Sequence, residues 1–308
     1  MVPLGAYIAR RAALVIPTLL GMLTVVFVLM RIIPGDPVRM MVGVDVSKAT
    51  VDAIRHSMGL DRPIPVQYKD YLVSILRGDL GRSLSSRRPV AGEVARHFRN
   101  TAALGLLSAA LAASLGLVLG IVAACYRNSA VDYFTVVLAV LGISTPSYFL
   151  GILLVLLFAV RLHWLPAGSA GSFQHLILPA LTLAAGSLSI IARMTRSSLV
   201  EELGRDYVRT AVAKGLTRRS AALRHALRNA LIPAVTTIGL EFGFMLGGSV
   251  LVETVFSYPG IGWLIMSAIS QRDFPMVQGA VIVVAFTFII INFLTDVSYA
   301  FLDPRIRF

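Results

Sequence analysis

Long apolar runs separated by short polar segments dominate the chain. Residues 12–30 contain no ionisable side chain, and comparable runs occupy residues 101–125, 133–160 and 176–192, the last continuing toward Arg196. Residues 230–252 form a fifth run interrupted by Glu241, and residues 276–302 a sixth that carries Asn292 and Asp296. A bilayer core about 30 Å thick is crossed by roughly 20 apolar residues in a helix, so each run is expected to be one membrane-spanning helix. The segments of an outer-membrane barrel alternate in polarity over about ten residues, and these runs do not. The fold class is therefore all-α integral membrane, with six transmembrane helices. The Arg10-Arg11 pair before the first run looks like an export signal, but the run is long and no small-residue cleavage site follows it. A retained first span is expected.

Composition agrees with the pattern. Hydrophobic residues make up 56% and charged residues 14%, whereas soluble domains carry about 25% charged residues. The net charge of +12 is explained by topology. With the N-terminus inside, the inner segments hold Arg10, Arg11, Arg127, the dense basic run from Arg193 to Arg228, and Arg305 and Arg307. The short outer segments hold only Arg31, Arg161 and Arg272. The remaining basic residues lie in the segment 34–99, and a segment of that length translocates largely regardless of charge. Both termini are expected in the cytoplasm, with the protein in the cytoplasmic membrane. No nucleic-acid recognition motif accompanies the basic excess, so no nucleic-acid partner is expected. The single cysteine, Cys125, offers neither a disulfide nor a cysteine zinc site.

Two polar segments have internal order. Residues 34–99 are expected to form a small helical extracytoplasmic subdomain. Ser47 precedes a helix with Val51, Ile54 and Met58 on one side, closed by Gly59; residues 66–77 repeat the pattern. Gly78-Asp79-Leu80-Gly81 reads as a turn, and Pro89 opens an amphipathic helix into the second span. This subdomain is either a packing cap or a docking surface. Residues 195–229 read as a cytoplasmic helix–glycine–helix hairpin: Leu199, Leu203, Tyr207, Thr210 and Ala211 recur at helical spacing, Gly215 stops the helix, and a second helix starts at Thr217. Its small-residue tip suits close approach by another protein.

At these residues the chain resembles the membrane subunit of a binding-protein-dependent ABC importer of the dipeptide/oligopeptide permease family. Arg209-Thr210-Ala211 with Gly215 occupies the place of that superfamily's Glu-Ala-Ala loop. The resemblance extends through Arg31-Ile-Ile-Pro34-Gly35-Asp36-Pro37, Asp206-Tyr207-Val208, Lys214-Gly215-Leu216, the segment Gly247 to Phe256 with Tyr258-Pro259-Gly260, and the ending Leu302-Asp303-Pro304-Arg305-Ile306-Arg307. It implies the type I importer fold, with a core over residues 100–302, a first helix over 1–33 and a tail over 303–308. It also implies a homologous second permease subunit, two ABC ATPase subunits and an extracytoplasmic substrate-binding protein. The coupling loop it implies comprises Asp206, Arg209, Thr210, Ala211, Lys214, Gly215, Leu216 and Arg218. Arg209 departs from the consensus Glu, so an ion pair from that Glu to the ATPase does not carry over. Short peptides are the implied cargo, with nickel complexes, glutathione or haem as alternatives.

The chemistry of the remaining residues is consistent with a passive subunit. Lys48, Lys69 and Lys214 do not sit in a phosphate-binding Gly-Lys-Ser/Thr loop, so ATP and Mg are expected on the partner ATPases and no cofactor on this chain. His56, His97, His163, His175 and His225 are scattered, and no nucleophile elbow occurs. An ion-coupled secondary transporter would place membrane carboxylates at corresponding positions of its two halves, and only Glu241 fits. A carboxylate near mid-membrane costs about 2.5–3.5 kcal/mol on insertion scales. Gly239, Gly243 and Gly247 form a small-residue stripe suited to helix packing, and Glu241 lies nearly opposite with Thr237, Phe244 and Gly248. That face either lines the translocation path or pairs within the bundle. Asn292, Asp296 and Tyr299 are expected to form interhelical hydrogen bonds, and Pro146 to kink the third span. Tyr258, Pro259 and Gly260 introduce a short re-entrant helix, which the resemblance places at an outer gate.

Overall fold

The computed structural model describes residues 4–32, 38–39, 46–57 and 59–302. The motif residues Pro34 to Pro37, Met58 and the tail 303–308 lie outside them. Among the described residues all regular structure is helical. Helix α1 (Leu4–Ile32) is followed by two short helices, α2 (Lys48–Ser57) and α3 (Ile64–Leu76). Ser47 accepts the Thr50 N–H at the start of α2 at 3.3 Å, and Gly59 follows it with a φ of +67°. The long α4 (Val90–Cys125) comes next, its N-terminus set by Pro89. Its 36 residues extend about 54 Å at 1.5 Å each, well beyond the hydrocarbon core. The charged first turns and the second apolar run are thus one helix, as expected of a helix opened by Pro89 and leading into that run.

The third apolar run gives α5 (Ala130–Ser144) and α6 (Ser147–Leu154), the latter continuing as a π-helical turn to Arg161. The two lie at 106° to each other, a break and not the kink expected over residues 133–160. A kink follows when only a hydrogen bond is lost. Here Pro146 also forces the residue before it out of the helical region, and Thr145 (ψ 120°) and Pro146 (ψ 133°) are both extended. Helix α7 (Gln174–Leu203) is longer than the run that announced it. The hairpin contributes α8 (Asp206–Ala213) and α9 (Arg218–Ala221), which passes through a π turn (Ala222–Ala226) directly into α10 (Leu227–Val255). The second arm of the hairpin and the fifth span are therefore one helical rod, bent by 53° between Met245 and Ser249. The short apolar α11 (Ile261–Ser270) and the final α12 (Phe274–Leu302) complete the helices. Four helices are individually long and apolar enough to cross a membrane, and the two bent pairs bring the spans to six.

The core lies between α4, α7 and α10, around Leu104, Leu178, Ile191, Met245, Val252 and Phe256. Gly116 and Gly120 let α4 lie against α7: a Cβ on Gly116 would stand 2.9 Å from the Leu188 carbonyl, and one on Gly120 2.6 Å from that of Ala192. At one end of the bundle, Val90 and Val94 pack with Ile261, Leu264, Met276 and Val277. At the other, Ala124 and Leu199 pack with the hairpin. Helix α1 runs along α12, and α3 docks on its end through Thr24 and Tyr68 (2.6 Å), Arg31 and Gln67 (2.7 Å), and the rings of Phe27, Tyr68 and Tyr71.

Candidate functional site

The hairpin is assembled by a short amphipathic helix with an inward stripe. Gly204 ends α7, Arg205 is extended, and Asp206 places a negative charge in the first turn of α8, where the helix dipole favours it. Val208 and Ala211, three residues apart, are buried with Leu216 beside them against Ala124, Leu199, Ala221 and Ala226. The residues selected from sequence therefore divide. Asp206, Arg209, Thr210, Lys214 and Gly215 are exposed and form the outward face. Ala211 and Leu216 face inward and hold the hairpin together, so any contact made by the loop passes through the first group. The side chain of Arg218 lies outside the described residues. Arg209 stands 3.6 Å from Asp206, with both side chains mostly in solvent; water screens such a pair, and the guanidinium remains available. Gly215 turns the chain at a φ of +96°, which a residue with a Cβ adopts only under strain. Tyr207 donates to Glu202 at 2.5 Å, and Asn229 donates to its hydroxyl at 3.2 Å, tying both arms to the end of α7. Partial burial, then the Glu202 carboxylate, push the Tyr207 phenol above its ordinary pKa.

Above the hairpin, Arg196 of α7 grips Asp132 of α5 through two bonds of 2.5 and 2.8 Å. Asp132 is buried and also accepts the Asn128 N–H at 2.9 Å, so it ties the turn before α5 to that helix while joining it to α7. Sequence reading missed this pair, because the partners are 64 positions apart.

Midway along α10, Glu241 lines a cavity of about 220 Å³ together with Gly142, Thr145, Ser147, Thr182, Gly186, Ser187 and Phe244. Ser187 donates to Glu241 Oε2 at 2.5 Å. Of the residues grouped with Glu241 in the sequence, Phe244 shares this cavity and is largely exposed. Thr237 does not share it: it is buried, and its hydroxyl donates to the Pro233 carbonyl at 2.9 Å. Gly248 lies outside the residues described at side-chain level. The glycine stripe packs on α12 at two of its three positions. Gly239 faces Thr295 and Gly243 faces Asn292, while Gly247 has nothing within 4 Å of a built Cβ. The side chains of Asp296 and Tyr299 lie outside the described residues.

At the opposite end from the hairpin, Tyr258 is buried and donates to the Asn100 carbonyl at 3.3 Å, and Asn100 donates to the Pro259 carbonyl at 2.8 Å. Gly260 is required by close approach, since a side chain there would overlap the Glu253 carboxylate. Glu253 is completely buried. Its Oε1 accepts the Thr101 hydroxyl at 2.7 Å, and its Oε2 accepts the N–H groups of Gly262 at 2.7 Å and Trp263 at 3.1 Å. Thr101 Oγ1 in turn accepts the Ile261 N–H at 2.7 Å. Together they satisfy the first N–H groups of α11, which a helix leaves without internal partners. In the sequence Glu253 was one letter of a longer motif; a carboxylate immediately after the fifth apolar run was the signal available. Asp273 plays a related part beyond α11. It is buried, accepts the Ser83 hydroxyl at 2.5 Å and the Leu84 N–H at 3.0 Å, and so fastens the 79–89 loop to the start of α12.

The family described as the binding-protein-dependent transport system inner membrane component matches residues 116–308, and its N-terminal membrane-component family matches residues 4–105. The glutathione transport system permease protein GsiC of Salmonella typhimurium is 45% identical over 302 residues, covering 98% of this chain and 99% of that protein. GsiC of Pectobacterium atrosepticum has the same identity and coverage, and GsiC of Escherichia coli K12 is 43% identical over the same length. With its helical membrane core matched by one family and its first helix and outer segment by the other, the chain belongs to the binding-protein-dependent transport system inner membrane components, the permease subunits of ABC importers.

Proposed function

We propose that this chain forms one half of the translocation pathway of an ATP-driven importer for short peptides of the glutathione class. It would pair with a homologous permease subunit, two ATPase subunits holding ATP and Mg, and an external binding protein. The carrying observation is the near-full-length identity to permeases named for glutathione transport. The resemblance read from sequence put dipeptides and oligopeptides first; these relatives favour glutathione, itself a small γ-linked peptide.

The hairpin end lies on the cytoplasmic side in this reading, and the Glu253 end faces outward, in agreement with the basic residues near Arg193 to Arg228. The ATPases grip the outward face of α8, at Arg209, Thr210, Lys214 and Gly215. Because α9 runs into α10 without interruption, displacement of the hairpin is delivered along one rod. It passes the Glu241 cavity and reaches the Glu253 bracket that holds α11. Closure of the ATPases thus rearranges both the middle and the outer end of the path, which is alternating access by movement of rigid helices.

The test is reconstitution of the full assembly in lipid vesicles, with uptake measured for glutathione, dipeptides, nickel chelates and haem. ATP-dependent accumulation of glutathione at least about tenfold above the other cargoes is expected. Preferential accumulation of nickel or haem would refute the peptide reading.

A further inference from the structure

We propose that the Glu241 cavity is a subsite for the primary ammonium group at the amino-terminal end of the transported peptide, with Glu241 as its anion and Ser187 as a positioning residue. This rests on the peptide reading above. The cavity lies where three spans meet: the break between α5 and α6, the middle of α7, and the middle of α10. Glu241 is only partly buried, and Ser187 occupies one of its oxygens. Among the described residues no donor reaches Oε1 and no basic side chain pairs with the carboxylate. A membrane carboxylate held by a single hydroxyl lacks a counter-charge, and an ammonium group supplies one.

The neighbouring groups suit the same ligand. Pro146 has no N–H to offer the Gly142 carbonyl, which lies toward Gly186 across the cavity lining. It is thus an acceptor left open by the helix break. Thr145 and Thr182 spend their protons on the Leu141 and Leu178 carbonyls, at 2.7 and 2.8 Å, so they face a ligand as acceptors. An ammonium has three protons to give and no acceptor. Ile143, Leu150, Leu183 and Met245 supply apolar wall.

The probes are glutathione and N-acetylglutathione, each supplied at saturation of the binding protein to vesicles containing the full assembly. The wild type is expected to take up glutathione at least about tenfold faster, the scale of one lost charge contact in a partly buried site. Glu241→Gln is expected to bring that ratio close to one. Ser187→Ala, which keeps the charge and serves if Glu241→Gln fails to assemble, is expected to reduce the ratio several-fold. A wild type without preference, or a ratio unchanged in either variant while uptake persists, overturns the subsite and leaves the peptide reading standing. A wild type that accumulates neither glutathione nor dipeptides overturns both.

Discussion

Replacing Glu253 tests whether its buried carboxylate holds the short helix α11 in place. Glu253→Ala removes the acceptor for at least three donors at once, the Thr101 hydroxyl and the backbone N–H groups of Gly262 and Trp263 among them. Each buried donor left unpaired costs about 1–3 kcal/mol, so even the low end gives roughly 3 kcal/mol before any cavity is counted. Glu253→Gln keeps one oxygen for the two amides but turns an NH₂ toward Thr101, whose oxygen already accepts from Ile261. The expected cost is about 1 kcal/mol, one ordinary hydrogen bond. Thermal unfolding of the purified assembly in detergent should therefore rank wild type above Gln above Ala, with the Ala variant lower by at least roughly 5 °C. Trp263 provides a local readout, since its N–H is bound to Glu253 and its ring stacks on His97 at 6.0 Å. Its emission should shift to the red in the Ala variant before global unfolding. An Ala variant that unfolds within about 1 °C of wild type, with unaltered emission, would refute the argument that the carboxylate secures α11.

Three further outcomes are expected. Asp132→Asn should destabilise the hairpin end by about 2 kcal/mol, below the roughly 3–5 kcal/mol of a fully buried broken pair because Arg196 is a quarter exposed; urea or thermal titration of the assembly measures it. Arg209→Ala should leave thermal stability unchanged, because its pair with Asp206 is solvent-screened, while ATP-driven uptake falls; pull-down of the ATPase subunits by variant and wild type shows whether the contact is the one lost. Asp273→Ala should release the 79–89 loop from the start of α12, seen as faster proteolytic cleavage within that loop, and a cleavage rate equal to wild type would count against the bracket.

The long apolar helices, the short helix after Tyr258-Pro259-Gly260 and the hairpin were legible because each depends on local pattern: apolar length, a Pro-Gly pair, or a glycine ending a periodic run. The break at Pro146 was read as a kink because residues 133–160 carry no charged side chain, and hydropathy does not register that two consecutive backbone residues are extended. The start of α4 was legible from Pro89, because Arg96, His97 and Arg99 interrupt an apolar run without ending a helix. Long-range polar partnerships were not legible at all. Thr101 and Glu253 are 152 positions apart and Ser83 and Asp273 are 190 apart, and no periodicity joins them. In the hairpin, the motif marked a contiguous stretch, but a helix exposes only some of its residues, and Ala211 and Leu216 fall on the inward side.

The close crossing of α4 and α7 also limits which parts can move. At Gly116 and Gly120 there is no room for a methyl group between the two helices, so a slide or rotation that brought a larger side chain into the crossing would meet a collision. They act as a single girder running the height of the bundle. Any machine built on this frame has to do its work with the members bolted to the outside of it, the split third span on one flank and the long rod rising from the hairpin on the other.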